Sequence, residues 1–497
     1  MKILSSEQIK QADQHTIKNE PISSIDLMER ASIAFVDEFF KFFPNLQPTY
    51  ILCGKGNNGG DGLAIARMLS QMHREVHVCI IDIAEESSFD FQLNYSRLPK
   101  EIQVYYCKSA NELIPPASDS LVIDAIFGIG LSRPLEGKFE EIIKAVNKWP
   151  NKKIAVDIAS GLFADSSSQG RSKLKVDVTI SFQLPKMAFF MPENDENVGE
   201  WTIVDIGLDN DFIQSQSSDY TLLRREDIKM ILPQRNKFSH KGNFGHAMIF
   251  AGSLGKIGAA ILAGKACLRS GVGLLTMHIP RCGYDAIQST LPEAMVQQDS
   301  AHEWLSSLGS LDAYSAIGIG PGIGQHLETA SLLSDLLNKF QGKLVLDADA
   351  LNIFSVNRHL FEVLPKKSIL TPHPGEFKRM VGEWSNDFEK LEKQKAFSKR
   401  YNVIVILKGA HTTISDVDGH IYFNSTGNPG MAKGGSGDVL TGIITAFLAQ
   451  GLAEIDAAIL AVYVHGLAGD LANEEFGEKS MLPSDLIAQI PFAFKEL

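Results

Sequence analysis

The sequence is short of cysteine, of net positive charge and of uninterrupted apolar stretches, and each shortage closes off a class of protein. Five cysteines (Cys53, Cys79, Cys107, Cys267, Cys282) in 497 residues form no C-x-x-C pair. That argues against a disulfide framework and structural zinc, and suits a reducing cytoplasm. With 47 Lys and Arg against 59 Asp and Glu, the formal net charge is -12. No broad nucleic-acid face is expected, although a local basic pocket for a phosphorylated ligand remains open. The most apolar stretches are Ile257–Met277, broken by Lys265 and Arg269, and Ile443–Leu467, broken by Gln450, Glu454 and Asp456. Neither is expected to span a membrane. The opening residues carry a capping-box pattern, Ser5 to Gln8, instead of a signal peptide's apolar segment, so a cytoplasmic location is expected.

Short apolar runs alternate with helix-period segments, which indicates α/β architecture with mainly parallel sheets. The length calls for at least two cores. Strands are expected at Thr49–Cys53, Glu75–Ile81, Leu121–Ile123, Lys153–Val156 and Val178–Phe182. The polar segment Asp209–Tyr220 reads as a linker. The pattern then restarts with Ala247–Ala251, Leu274–His278, Ser315–Ile319, Lys343–Leu346, Ser368–Thr371 and Val403–Leu407. A hairpin turning at Asp416–Gly419 follows, and two helices from about Asp438 and Glu454 close the chain.

In the first half, Gly54, Gly56 and Gly59 match G-x-G-x-x-G between a strand and a helix, with Asp82 near the end of the next strand. This resembles a dehydrogenase fingerprint, but Asp61 in the same segment would repel a pyrophosphate. Asp124, Asp157 and Ser160 end other strands. In an open parallel sheet such residues face one crevice, where Asn58, Asp124 and Ser160 could ligate a hard cation. Helix capping by Asp61 and turn hydrogen bonds by Asp124 and Asp157 are the alternatives. Asn57-Asn-Gly-Gly-Asp-Gly, Asp124-Ala-Ile-Phe-Gly-Ile-Gly, Val156-Asp-Ile-Ala-Ser-Gly and Phe182-Gln-Leu-Pro-Lys resemble the NAD(P)HX epimerase family. The resemblance implies a Rossmann-like three-layer αβα domain over residues 1–212. It implies that Asn57, Asn58, Gly59, Gly60 and Asp61, with Gly128, Ile129, Gly130, Leu131, Ser132, Arg133 and Pro134, hold the hydrated nucleotide. It further implies potassium on Asn58, Asp124 and Ser160, and acid/base work by Asp157, joined by Lys186. Ala159 departs from the family's usual proline.

In the second half, Asn428-Pro-Gly-Met-Ala-Lys-Gly-Gly-Ser-Gly-Asp places Gly434, Gly435 and Gly437 before a helix, where backbone N–H groups converge on phosphoryl oxygens. Asp438 stands at the mouth of this anion hole, placed to take a proton from a hydroxyl; the alternative is a helix N-cap. Gly318-Ile-Gly-Pro-Gly-Ile-Gly, Thr371-Pro-His-Pro-Gly-Glu-Phe and Lys408-Gly-Ala-His-Thr end other strands. Gly252-Ser-Leu-Gly-Lys-Ile is a P-loop decoy, with Phe250 and Ile257 at defining positions. Together the motifs are similar to the ribokinase-like ADP/ATP-dependent NAD(P)HX dehydratases, which implies a ribokinase-like α/β domain over residues 220–497. The resemblance assigns Ala260, Gly322, His373 and Asp438 to the hydrated dinucleotide. It assigns Lys408, Gly409, Ala410, His411, Thr412 and Gly437 to the adenine nucleotide. Lys237, Gly242, Asn243 and Gly245 match that domain's opening segment. Expected partners are NADHX or NADPHX with ADP or ATP, Mg2+ in the second domain and K+ in the first. No nucleic acid or membrane partner is expected, and the expected assembly is a homo-oligomer. The rivals are a vitamin-precursor kinase fused to a binding domain, a non-enzymatic scaffold and an NAD-dependent dehydrogenase.

Overall fold

The computed structural model describes all 497 residues, which form two compact units. One comprises residues 2–218 with 386–388; the other comprises Met1, residues 219–385 and 389–497.

The first unit contains seven strands: β1 (Thr49–Cys53), β2 (Val76–Ile81), β3 (Gln103–Cys107), β4 (Leu121–Ala125), β5 (Lys153–Val156), β6 (Val178–Phe182) and β7 (Glu200–Val204). All are parallel, in the order β3-β2-β1-β4-β5-β6-β7. Strand side chains alternate between faces. Tyr50, Leu52, Val122 and Ala155 pack with Ile142, Ile143 and Val146 of the helix Lys138–Val146. Helices Ser24–Phe42 and Asn57–Gln71 pack together on the opposite face. This is a Rossmann-like three-layer arrangement. The chain winds outward from β1 through β2 to β3, then returns to build β4 onward on the other side. The loops after β1 and β4 therefore flank the topological switch point, where such sheets bind ligands.

The second unit carries β8 (Tyr220–Leu222), β9 (His246–Phe250), β10 (Leu274–Ile279), β11 (Met295–Gln298), β12 (Ala316–Ile319), β13 (Lys343–Leu346), β14 (Ile369–Leu370), β15 (Ile404–Leu407), β16 (Thr413–Ser415) and β17 (Ile421–Phe423). Their order is β11-β10-β9-β12-β13-β14-β15-β16-β17-β8, parallel except for the two pairings made by β16. One face buries Ala247, Ile249, Val345 and Ile404 under helices that include Ser436–Ala449. The other buries Met248, Phe250, Leu344 and Val405 under helices that include Leu327–Lys339. This is the ribokinase-like α/β architecture.

Two expectations need correction. Asp209–Tyr220 is not a plain linker: Asp209 caps a helix, Asn210–Ser215, by accepting from the Phe212 N–H, and Tyr220 begins β8. The chain closes on three helices, because Pro483–Glu496 follows Glu454–Phe476; Pro491 inside it disguises the pattern. The helix Glu454–Phe476 is long and apolar enough to cross a membrane, with hydropathy 1.4, yet 67% of that window is buried inside the fold. It serves as a core helix.

Candidate functional sites

After β1 the chain turns at Gly54 and enters the helix Asn57–Gln71, with Gly56 at the N-cap. A Cβ on Gly54 would stand 2.1 Å from the Ile126 carbonyl oxygen, and one on Gly59 would stand 1.7 Å from that of Gly54. Gly54 lets the two switch-point loops pack against each other and Gly59 lets the helix close on its own turn, so both are required before any phosphate arrives. Asp82 is ion-paired with Lys55 and Lys108 and does not stand free for a ribose, which removes the acidic partner a dehydrogenase needs. Asp61 does not cap the helix; it lies a turn inside, 9% exposed. Burial, and then the charges of Asp157, Asp13 and Asp90, push its carboxyl well above the usual range.

Asp124, at the end of β4, is completely buried. Its Oδ1 accepts from Ser160 Oγ at 2.6 Å and the Ile126 N–H at 3.2 Å, and its Oδ2 from the Ser160 N–H at 2.7 Å. Burial raises this carboxyl to about 6 despite those bonds. Ser160 Oγ in turn accepts from the Phe127 N–H at 2.9 Å. The loop carrying Ala159 is thus fixed by Asp124, without needing proline's stiffness. Asn58 approaches Gly128, where a Cβ would lie 3.2 Å from its Oδ1, and its buried Nδ2 has no partner. Beyond Gly128 the loop opens outward, leaving Gly130, Ser132, Arg133 and Pro134 exposed.

Asp157 follows β5 in a left-handed conformation, φ 67°, strained for a non-glycine residue and typical of functional positions. Its Oδ1 receives every donor: Lys186 Nζ at 2.5 Å, the Phe182 N–H at 3.0 Å and Ser181 Oγ at 3.2 Å. Its Oδ2 receives none of them. Lys186 is 1% exposed and also donates to Ser181 Oγ, Phe182 O and Leu184 O. Asp13, on the helix Ser6–Asn19, was not singled out from the sequence. Burial, reinforced by the Asp157 charge, raises its carboxyl to about 7.

In the second unit, the helix Ser436–Ala449 starts from Gly435, whose φ of 105° only glycine adopts readily. No backbone carbonyl takes the N–H groups of Gly434, Gly435, Gly437 or Asp438, so four donors remain open at the positive end of the helix. Asp438 is therefore a first-turn residue and not the N-cap. Burial first, then the Asp347 charge, raises its carboxyl to about 7 while Lys408 opposes the rise. His373, Lys408, Gly409, Ala410, Thr412 and Gly437 converge on a cavity of about 640 Å3.

The comparisons with known proteins decide between the readings. Residues 24–188 match the family described as YjeF-related protein N-terminus, and residues 247–492 the family described as NAD(P)H-hydrate dehydratase. The bifunctional NAD(P)H-hydrate repair enzyme Nnr of Moorella thermoacetica is 33% identical across 100% of this chain and 97% of its own length. The chain belongs to this family of bifunctional repair enzymes. The Escherichia coli relative of the same name is 32% identical over 94% of this chain and 88% of its own. The crystal structure of the ADP/ATP-dependent NAD(P)H-hydrate dehydratase of Bacillus subtilis, co-crystallised with ATP and Mg2+, is 33% identical. It covers 56% of this chain and 98% of its own, with a TM-score of 0.50.

Some of the repair-enzyme assignments do not meet in that cavity. His411 does not line it. Ala260 is completely buried and does not line it. Gly322 has φ 64°, and its carbonyl accepts from Ser253 Oγ at 2.7 Å. His373 is no idle surface histidine: its Nδ1 accepts from the N–H of Gly375 at 3.0 Å and of Glu376 at 3.4 Å, capping the helix Pro374–Val381. The neutral ring then carries its proton on Nε2. Lys256, the lysine of the decoy, pairs with Asp349 at 3.3 Å. In the opening segment, Gly245 has a packing role, since a Cβ there would lie 1.8 Å from the Ala449 carbonyl oxygen. Sequence reasoning passed over Asp347, 1% exposed at the end of β13. The segment Asp347-Ala-Asp349 just past a strand was the available signal.

Proposed function

We propose that residues 1–212 interconvert the R and S epimers of hydrated NADH and NADPH, and that residues 220–497 use ADP or ATP to dehydrate the S epimer. One observation carries the second half: an aspartate that takes no hydrogen bond, beside unpaired N–H groups, near the Lys408 end of a cavity of nucleotide size. Hydroxide is a poor leaving group. Asp438 takes the ring hydroxyl's proton as that oxygen attacks the terminal phosphate, and the anion hole stabilises the charge that develops. The ring nitrogen's lone pair then expels phosphate, and loss of a proton from the neighbouring carbon restores the dihydropyridine. With ADP the other product is AMP. No group of three or more His, Cys, Asp or Glu side chains gathers to hold a metal, which fits a magnesium ion carried in on the nucleotide's phosphates.

In the first unit, Asp157 presents an oxygen without a hydrogen bond to the substrate while Lys186 fixes the other. The substrate lies between Asn57–Asp61 and Gly128–Pro134. Potassium fits Asn58, Asp124 and Ser160: turning the Asn58 amide replaces its orphaned Nδ2 by an oxygen, and Asp124 and Ser160 each retain a lone pair. The five free cysteines suit a cytoplasmic site of action.

The test is recovery of reduced-nicotinamide absorbance from an epimer-mixed NADH hydrate with Mg2+, with and without ADP. Recovery that requires ADP and ends at both epimers is expected. Asp438→Asn should abolish it; full activity in that variant, or a phosphorylated end product without NADH, would overturn the assignment.

A further inference from the structure

Asp347 joins three elements of the dehydratase site. It follows β13, and its backbone N–H donates to Ile319 O at 3.1 Å. Its Oδ1 accepts from Lys408 Nζ at 3.0 Å, just past β15, and its Oδ2 accepts from Thr441 Oγ1 at 2.8 Å. Thr441 lies three residues beyond Asp438 on the helix Ser436–Ala449, the spacing that puts two side chains on one helix face. A Cβ on Gly437 would stand 3.3 Å from Lys408 Nζ and 3.7 Å from Asp347 Oδ2. The ion pair therefore lies directly beneath the opening turn of that helix, with no side chain between.

A buried carboxylate under a phosphate site has the wrong sign for binding unless it does something else. We propose that Asp347 is a positioning residue of the dehydratase: it holds the Lys408 ammonium at the floor of the anion hole and, through Thr441, sets the helix face that carries Asp438. The inference rests on the reading of Asp438 as the base. The incoming phosphate shares Lys408 with Asp347, so nucleotide binding converts a closed ion pair into a three-way contact.

The same charge acts on Asp438. Asp347 and Asp349 favour its protonated form, while Lys408 opposes them. From the helix Pro374–Val381, Glu376 senses both Lys408 and Asp347, and the N-cap His373. From the helix Glu454–Phe476, His465 bonds Ser436 O at 2.9 Å. Neutralising Asp347 removes the largest charge effect that keeps a proton on Asp438.

The experiment uses the full chain, S-epimer hydrate, ADP and Mg2+, and measures kcat against pH. In Asp347→Asn, which keeps the shape and an acceptor oxygen, the acid limb should move to lower pH by roughly one unit, the effect of one nearby charge. The plateau kcat should fall at least about tenfold, because an amide cannot accept from both Lys408 and Thr441 through two oxygens. A residue that only supported the fold would lower the rate at every pH and leave the limb in place; that result would overturn the inference. Thr441→Val should lower kcat without moving the limb, and Thr441→Ser should restore it. This pair decides the matter if Asp347→Asn does not fold, and wild-type kcat in Thr441→Val would refute the helix link. Asp438→Asn separates the two levels. If it still dehydrates, the underlying reading fails; if it is inactive while Asp347→Asn keeps the wild-type limb, only the present inference fails.

Discussion

Lys186→Met isolates the buried ion pair of the first unit. Lys186 is 1% exposed, and the Asp157 side chain is 9% exposed. The substitution keeps the length of the apolar stem, so little packing is lost. It removes the ammonium and leaves an ionised carboxylate, Ser181 Oγ and the Phe182 and Leu184 carbonyls without their shared donor. Breaking a buried pair from one side costs about 3–5 kcal/mol, a large part of the roughly 5–15 kcal/mol that holds a domain together. For a unit of this size the unfolding midpoint should fall by roughly 10 °C. Hydrogen exchange in peptides covering β5 and β6 reads this locally, and epimerisation should vanish while dehydration of pure S epimer continues. Adding Asp157→Asn removes the stranded charge, so the double variant should regain about 1–2 kcal/mol over Lys186→Met alone. If Lys186→Met costs less than about 1 kcal/mol, or the double variant is no more stable, the pair is not held as described.

Asp438→Asn should lower dehydration by at least about 10²-fold. In the wild-type protein a base with its carboxyl at about 7 is ionised above that pH, so kcat should decline as pH falls through 7. Asp13 is raised to about 7 with Asp157 beside it; Asp13→Asn should remove whatever inflection the epimerase pH profile shows near 7, and an unchanged profile would exclude Asp13 from the site. Gly59→Ala places a methyl 1.7 Å from the Gly54 carbonyl oxygen and should unfold the first unit or cost it more than about 3 kcal/mol, measured by thermal denaturation. Wild-type stability would show that the turn relaxes freely.

The four strands missed in the sequence are β3, β7, β8 and β11, which are the outermost strands of the two sheets. Their residues are mostly exposed or half-buried, as in Glu200-Trp-Thr-Ile-Val, whereas Thr49-Tyr-Ile-Leu-Cys is buried throughout. Inner parallel strands are covered on both faces and read as apolar runs; edge strands need not be. The sites divide along a similar line. Asp124, Asp157 and Asp438 stand out in the sequence because each lies beside glycine or another marked residue in a local motif. Asp13 and Asp347 meet neighbours distant in sequence, Asp157 for the former and Lys408 and Thr441 for the latter. A helical aspartate beside Ala12 carries no local sign that its carboxyl will face another one.

On the proposed reading of Asp438, a single helix start serves two reactants. An aspartate at the N-cap would accept from the first-turn N–H groups, which would occupy its lone pairs and lower its basicity. Here Gly435 holds the N-cap with no side chain to offer. The N–H groups of Gly437 and Asp438 consequently have no backbone acceptor, which in the proposed reaction leaves them for phosphoryl oxygens and the Asp438 carboxylate for a hydroxyl. Buried polar groups are normally satisfied, so both halves of this arrangement are costly in the free protein and recover that cost only when both reactants are present. Gly435→Asn tests the point, since asparagine tolerates a positive φ better than most residues and brings a capping oxygen. The variant should be somewhat less stable than wild type, because a Cβ there would stand 2.7 Å from Leu262 Cδ1 at a φ of 105°, and where it folds it should lose dehydration and bind ADP more weakly. If it binds ADP as well as wild type, the unpaired N–H groups are not where the phosphates go.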